Sequence, residues 1–235
     1  GHPMTSQCQP AAAPAAPFRD RALGEIAASL PGATAVFRHH RLDFCCGGDV
    51  PLDQAAARRG VDPAVIEAAL GALEPDEVNA ADLPTDALID HILVCYHEAH
   101  RRDLPELILL ARKVEAVHAA NPAVPAGLAD LLREMAGVLE MHMKKEELIL
   151  FPAMRHNPQA LVAQPIRQMR HEHDDHGEAL RQIEAITGGL VLPQGACRSW
   201  QALYLGLGHL MGELMEHIHL ENNVLFPRFE GEAAL

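Results

Sequence analysis

The chain has 235 residues, a net charge of -13, 49% hydrophobic residues and only 4% aromatic ones. That acidity argues against a nucleic-acid or anionic-membrane surface. A composition rich in Ala and Leu and poor in aromatics favours packed helices over sheets. No apolar run approaches the roughly 20 residues that span a bilayer, and no charged start followed by an apolar core marks a signal peptide. Five scattered cysteines (Cys8, Cys45, Cys46, Cys95 and Cys197) do not read as a secreted disulfide framework. A cytoplasmic protein is expected.

Residues 1–17 are rich in Pro and Ala and are expected to be disordered. Residues 18–73 read as a small helical domain. Leu23, Ile26, Ala27 and Leu30 share one side of a first helix, and Pro31 opens a second that runs to Phe37. Asp53 is expected to cap a third through Arg59, and Asp62-Pro63 a fourth through Leu73. Between the second and third, Cys45-Cys46-Gly47-Gly48 breaks the pattern. A bond between neighbouring cysteines is strained. The pair reads either as reactive thiols, or as two small hydrophobes beside a loop.

Residues 74–85, with two prolines and four acids, read as a linker. Four long helices follow over 86–230. Helix A is expected over 85–118, capped by Thr85 or Asp86 and kinked or split at Pro105. Helix B is expected over 125–154, helix C over 166–187 with a stop at Gly188-Gly189, and helix D over 194–226. Short connections between long helices imply an all-α, up-down-up-down four-helix bundle.

Helix B carries His142-Met-Lys-Lys-Glu146, then four residues, then Phe151-Pro152. Helix D repeats this as His217-Ile-His-Leu-Glu221, four residues, Phe226-Pro227. Positions i and i+4 lie one above the other, so each His–Glu pair projects from one helix face. A second repeat, Tyr96-His97-Glu-Ala-His100 and Glu172-His173-Asp-Asp-His176, places histidines on helices A and C. In helix B, positions 135, 138, 142, 146, 149 and 150 form one core-facing stripe, which His142 and Glu146 interrupt. His217 and Glu221 interrupt the equivalent stripe of helix D. Two unpaired carboxylates in a bundle core would each cost several kcal/mol. A pair of metal ions offsets that cost, with Glu146 and Glu221 each able to bridge both. Four imidazoles and two carboxylates suit iron, manganese or zinc, and bridging carboxylates favour iron. Spacing does not choose between His97 and His100, or between His173 and His176, and His91 is a further candidate. His219 is expected on an exposed face. His39, His40, His118, His156 and His209 read as ordinary surface or core histidines.

These residues, with Asp43-Phe-Cys45-Cys46-Gly47-Gly48 and Leu104-Pro-Glu-Leu, give a resemblance that covers nearly all of the chain beyond its tail. Residues 86–229 resemble hemerythrin-like domains. The whole chain from Phe18 resembles the repair-of-iron-centres family, the di-iron proteins of the YtfE and ScdA type. The resemblance implies metal ligands His97, His142, Glu146, His173, His217 and Glu221, holding two iron ions as an oxo-bridged, non-haem di-iron centre. It implies a stress-response protein that repairs iron–sulfur clusters damaged by nitrosative or oxidative stress, by donating iron. In that function Cys45 and Cys46 are expected to accept or relay iron as a thiol relay. Its partners would be damaged iron–sulfur proteins, nitric oxide or oxygen and an electron donor, with no nucleic acid and no membrane, the chain being a monomer or homodimer. The alternatives are a nitric oxide reductase, or a scavenger or sensor of nitric oxide or oxygen.

Overall fold

The computed structural model describes residues 16–74, 79–157, 159 and 161–231. The tail up to residue 15 and linker positions 75–78 lie outside the described residues. Among those described there is no strand, only an isolated bridge between Ala22 and Pro51.

The N-terminal part holds α1 (Leu23–Ser29), α2 (Ala33–His39), α3 (Leu52–Arg58) and α4 (Pro63–Gly71). Helical spacing of apolar residues explains α1, which buries Leu23, Ile26 and Ala27. The second helix begins two residues after Pro31, because Gly32 takes a left-handed φ of 87° as its N-cap. Asp62 caps α4, accepting from Ala64 N at 3.0 Å, with Pro63 in the first turn. Asp53 does not cap α3. Pro51 occupies that place, and the Asp53 carboxylate meets Gln54 N within the first turn.

Helix A comprises α5 (Thr85–Ile92), a π-helical turn (Leu93–His97) and α6 (Glu98–Val117). Helix B comprises α7 (Leu128–Lys145), a π turn (Glu146–Leu150) and α8 (Phe151–His156). Helix C is α9 (Ala163–Ile186). Helix D comprises α10 (Arg198–His219), a π turn (Leu220–Leu225) and α11 (Pro227–Glu230). Helices α6 and α9 each pack against both α7 and α10, which closes the bundle. The chain leaves helix C through Gly188 and Gly189, both at positive φ, with Gly189 N donating to Glu184 O at 2.8 Å.

Three expectations for the bundle change. Helix A does not split at Pro105. Its α6 segment runs through that residue, whose ring faces solvent, and only a single ladder bond is forfeited. Neither Thr85 nor Asp86 caps helix A, since Pro84 precedes it with no side-chain cap. The buried stripe of helix B does not include Val138 or Ile149, which are 46% and 66% exposed. It runs through Met135, Leu139, His142, Met143, Glu146 and Leu150, and the extra residue of the π turn then brings Phe151 inward.

The apolar core divides in two. One cluster joins the small domain to the bundle through Phe37, Phe44, Leu180, Trp200 and Leu214. The other gathers Leu88, Ile92, Phe151, Met169 and Phe226 towards one end of the bundle. A polar layer of histidines and glutamates is buried within the bundle along with them. No helix among the described residues is long and apolar enough to cross a membrane.

Candidate metal centre

The polar layer collects side chains from all four helices. His97 comes from helix A, His142 and Glu146 from helix B, His173 from helix C, and His217 and Glu221 from helix D; each is at most 1% exposed. Three of the six lie within π turns: His97, Glu146 and Glu221. Such turns widen a helix locally and turn a side chain without breaking the element.

Two overlapping donor groups result. His97, Glu146, His217 and Glu221 form one, and His142, Glu146, His173 and Glu221 the other, each with donor atoms within 4.8 Å of one another. His97 Nε2 and His217 Nε2 stand 3.2 Å apart, as do His142 Nε2 and His173 Nε2. Neighbouring donors of one coordination sphere are separated by about this much when metal–donor bonds are roughly 2.1 Å. Both carboxylates lie between the histidine pairs. Glu221 turns Oε2 to His217 (2.7 Å) and Oε1 to His173 (2.9 Å). Glu146 Oε1 is 3.3 Å from both His97 Nε2 and His142 Nε2.

The donor set fits an ion pair. Neither oxygen of the fully buried Glu146 carboxylate has a hydrogen-bond partner. A buried charge left so costs several kcal/mol, and a shared cation relieves it. The carboxylates draw positive charge strongly. Burial alone would lower the His142 pKa, yet Glu146 and Glu221 push it up to about 11.

The outward nitrogens are also occupied. His97 Nδ1 donates to Glu147 (2.6 Å), and His142 Nδ1 to Glu172 (3.1 Å). His173 Nδ1 donates to Asn222 Oδ1 (2.7 Å), and His217 Nδ1 to His100 Nε2 (3.1 Å). Each ring is thereby held as the tautomer with Nε2 free to face inward. Arg101 in turn pairs with Glu147, and Lys145 with Glu172; against the upward pull of burial, hydrogen bonds from Gln168, Lys145 and His142 bring the Glu172 pKa down to about 2.

Of the alternatives left open by spacing, His100 and His176 are buried but outside both donor groups. His100 backs His217, and His176 lies 4.8 Å ring to ring from His142. His91 is half-buried beside Tyr96 and Cys95 and takes no part. His219 is not exposed: the small domain covers it, with Phe44 edge-on at 5.6 Å and Asn223 Nδ2 donating to its Nδ1. Glu147, Glu172, Asn222 and His100 carry positioning roles that spacing did not assign, although Glu172 and His100 lie within the repeated motifs and Glu147 and Asn222 directly follow Glu146 and Glu221.

Cys45 and Cys46 are both free thiols, with Sγ atoms 4.0 Å apart. Cys45 is buried and Cys46 half-buried. The hydrogen bond that Cys45 donates to Cys46, followed by burial, holds the Cys45 thiol well above its usual range.

Residues 88–229 match the Hemerythrin HHE cation binding domain, and residues 19–74 match the ScdA N-terminal domain, described as a domain of unknown function. The chain is 47% identical over 220 residues to the iron-sulfur cluster repair protein YtfE of Musicola paradisiaca, covering 92% of this chain and 99% of that one. It is 49% identical over 213 residues to the protein of the same name in Citrobacter koseri, and 48% identical to that of Escherichia coli, each covering 90% of this chain and 97% of the relative. The chain belongs to the YtfE family. Its buried imidazoles and carboxylates are positioned for a di-iron site.

Proposed function

We propose that this chain repairs iron–sulfur clusters damaged by nitrosative or oxidative stress, donating ferrous iron from a di-iron centre held by His97, His142, Glu146, His173, His217 and Glu221. The observation that carries the reading is the buried convergence of these six side chains, with Glu221 turning one oxygen to each histidine pair. Relatives of nearly the same length bear a name for that activity. When bound, the iron pair supplies a redox couple and an exchangeable ferrous ion.

The chain's own groups do the rest. Glu146 and Glu221 offset part of the charge of two cations in a water-poor layer. Phe151 and Phe226, stacked on His97 and His173, keep bulk water from the rings. Residues 18–73 act as the module that presents thiols, and residues 86–230 as the module that holds metal. Cys46, the more exposed thiol, receives or relays iron, while Cys45 stays protonated behind it. Clients are iron–sulfur proteins, and the cytoplasm is the place of work, where free thiols persist.

Iron analysis of purified His97→Ala and Glu146→Ala chains tests the centre. Each should hold well under two irons per chain and fail to restore a nitric-oxide-damaged [4Fe–4S] enzyme that the parent chain restores. Full iron loading in both variants would end the proposal.

A further inference from the structure

The two halves of the metal layer are not backed alike. His97 and His217 lean on Glu147 and His100, and His142 leans on Glu172, all within the bundle. His173 alone is tied to the small domain, and at both ends. Its ring donates to Asn222 Oδ1, while Asn222 Nδ2 donates to Cys45 O at 2.9 Å. Its carbonyl accepts from Cys46 Sγ at 3.3 Å. Gly177, one turn further along helix C, leaves the groove in which that sulfur lies: a Cβ there would stand 3.3 Å from Cys46 Sγ. Asp43 Oδ1 holds the loop in place by accepting from Cys46 N at 2.9 Å. The sulfur therefore lies close against helix C, with part of its surface open.

We infer that the Cys45–Cys46 loop is a latch on one half of the centre: through Asn222 it keeps His173 in place, and a group added to Cys46 frees the ion held by His142 and His173 ahead of the ion held by His97 and His217. The inference rests on the di-iron repair reading and names which iron is the cargo. An alkylated Cys46 has no S–H to give His173 O, and its added group crowds Gly177, so the loop lifts. Cys45 O then leaves Asn222 Nδ2, Asn222 is free to turn, and His173 Nδ1–H loses its acceptor. An imidazole deprived of that outer partner holds a metal about 10–100-fold less tightly. Asn222 is thus a positioning residue, acting through His173. The modifier is a small electrophile able to reach a half-buried thiol; with iodoacetamide the sulfur gains a carbon, iodide leaves, and the thiol proton passes to solvent.

The test uses the full chain with Cys8, Cys95 and Cys197 changed to Ser, loaded anaerobically with two ferrous ions and mixed with a coloured ferrous chelator. After alkylation one iron per chain should leave at least about tenfold faster, with the other unchanged. Asn222→Ala should show that split without reagent. Asn222→Asp, which keeps an acceptor for His173 but no donor for Cys45 O, should release slowly and ignore the reagent, as should Cys46→Ser. The single ion of a His97→Ala chain should respond to alkylation, and that of a His173→Ala chain should not. Equal acceleration of both ions, acceleration of neither, or a response confined to the His173→Ala chain overturns the latch. If the split appears but the released iron restores no damaged cluster, the latch stands and the repair reading falls. If clusters are restored while both ions leave at one rate, the repair reading stands and the latch falls.

Discussion

His219 shows how far a residue's neighbours outweigh its sequence position. It lies two places from a candidate ligand and would face water on an isolated bundle. Instead it is 3% exposed beneath Phe44. Burial lowers its pKa to about 4, against about 6.5 in an unfolded chain. Between those values the folded state binds fewer protons than the unfolded one, so stability rises with pH. The contribution is fully present above 6.5 and is lost as the pH falls towards 4, at roughly 3 kcal/mol at most. His100 and His176 are lowered by burial too and act in the same direction. The difference between two metal-free chains isolates His219: His219→Gln should show a shallower fall in Tm from pH 6.5 to 4.5 than the parent, and parallel profiles would clear His219 of a part. The repeated His-x-x-x-Glu pairs were legible because i,i+4 geometry is local. Asn222 was not, because its role depends on reaching Cys45, far away along the chain.

At the scale of elements, the four long helices follow from apolar periodicity, and their ends from Gly and Pro. The π turns did not show in that reading. Each admits one residue more than α pitch, so a strict 3.6 period puts Ile149 inside and Phe151 outside, the reverse of what is found. At Pro105 the helix is not split. A proline in a helix interior costs about 3 kcal/mol, but α6 is long enough and well enough packed on α7 and α10 to absorb it. Since Pro105 is exposed, Pro105→Ala should raise stability by about 1–3 kcal/mol, seen as a higher urea midpoint with an unchanged slope. An unchanged or lower midpoint would mean that the ring makes a contact worth as much as the missing bond.

For the molecule as a whole, the decisive event is the seating of the small domain on helices C and D. Asn223 Nδ2 donates to Phe44 O at 2.9 Å, and Gly48 sits against the same groups: a Cβ on it would lie 2.8 Å from Phe44 O and 2.9 Å from Asn223 Oδ1. Gly48→Ala should therefore cost about 1–3 kcal/mol and unseat the loop. A timed reaction with a thiol reagent should then count one more fast cysteine than in the parent, as Cys45 comes into reach; an unchanged count with unchanged stability would contradict this seating. The sequence by itself determined an all-helical chain and a duplicated pair of motifs that turns carboxylates and imidazoles towards a core, because those patterns repeat within single helices. Only the tertiary structure decided that His97 and His173 meet the carboxylates while His100 and His176 stand behind, and that Asn222 ties one of them to the thiol loop. Each of those outcomes depends on groups distant in sequence arriving within hydrogen-bond reach, and helical spacing carries no record of that.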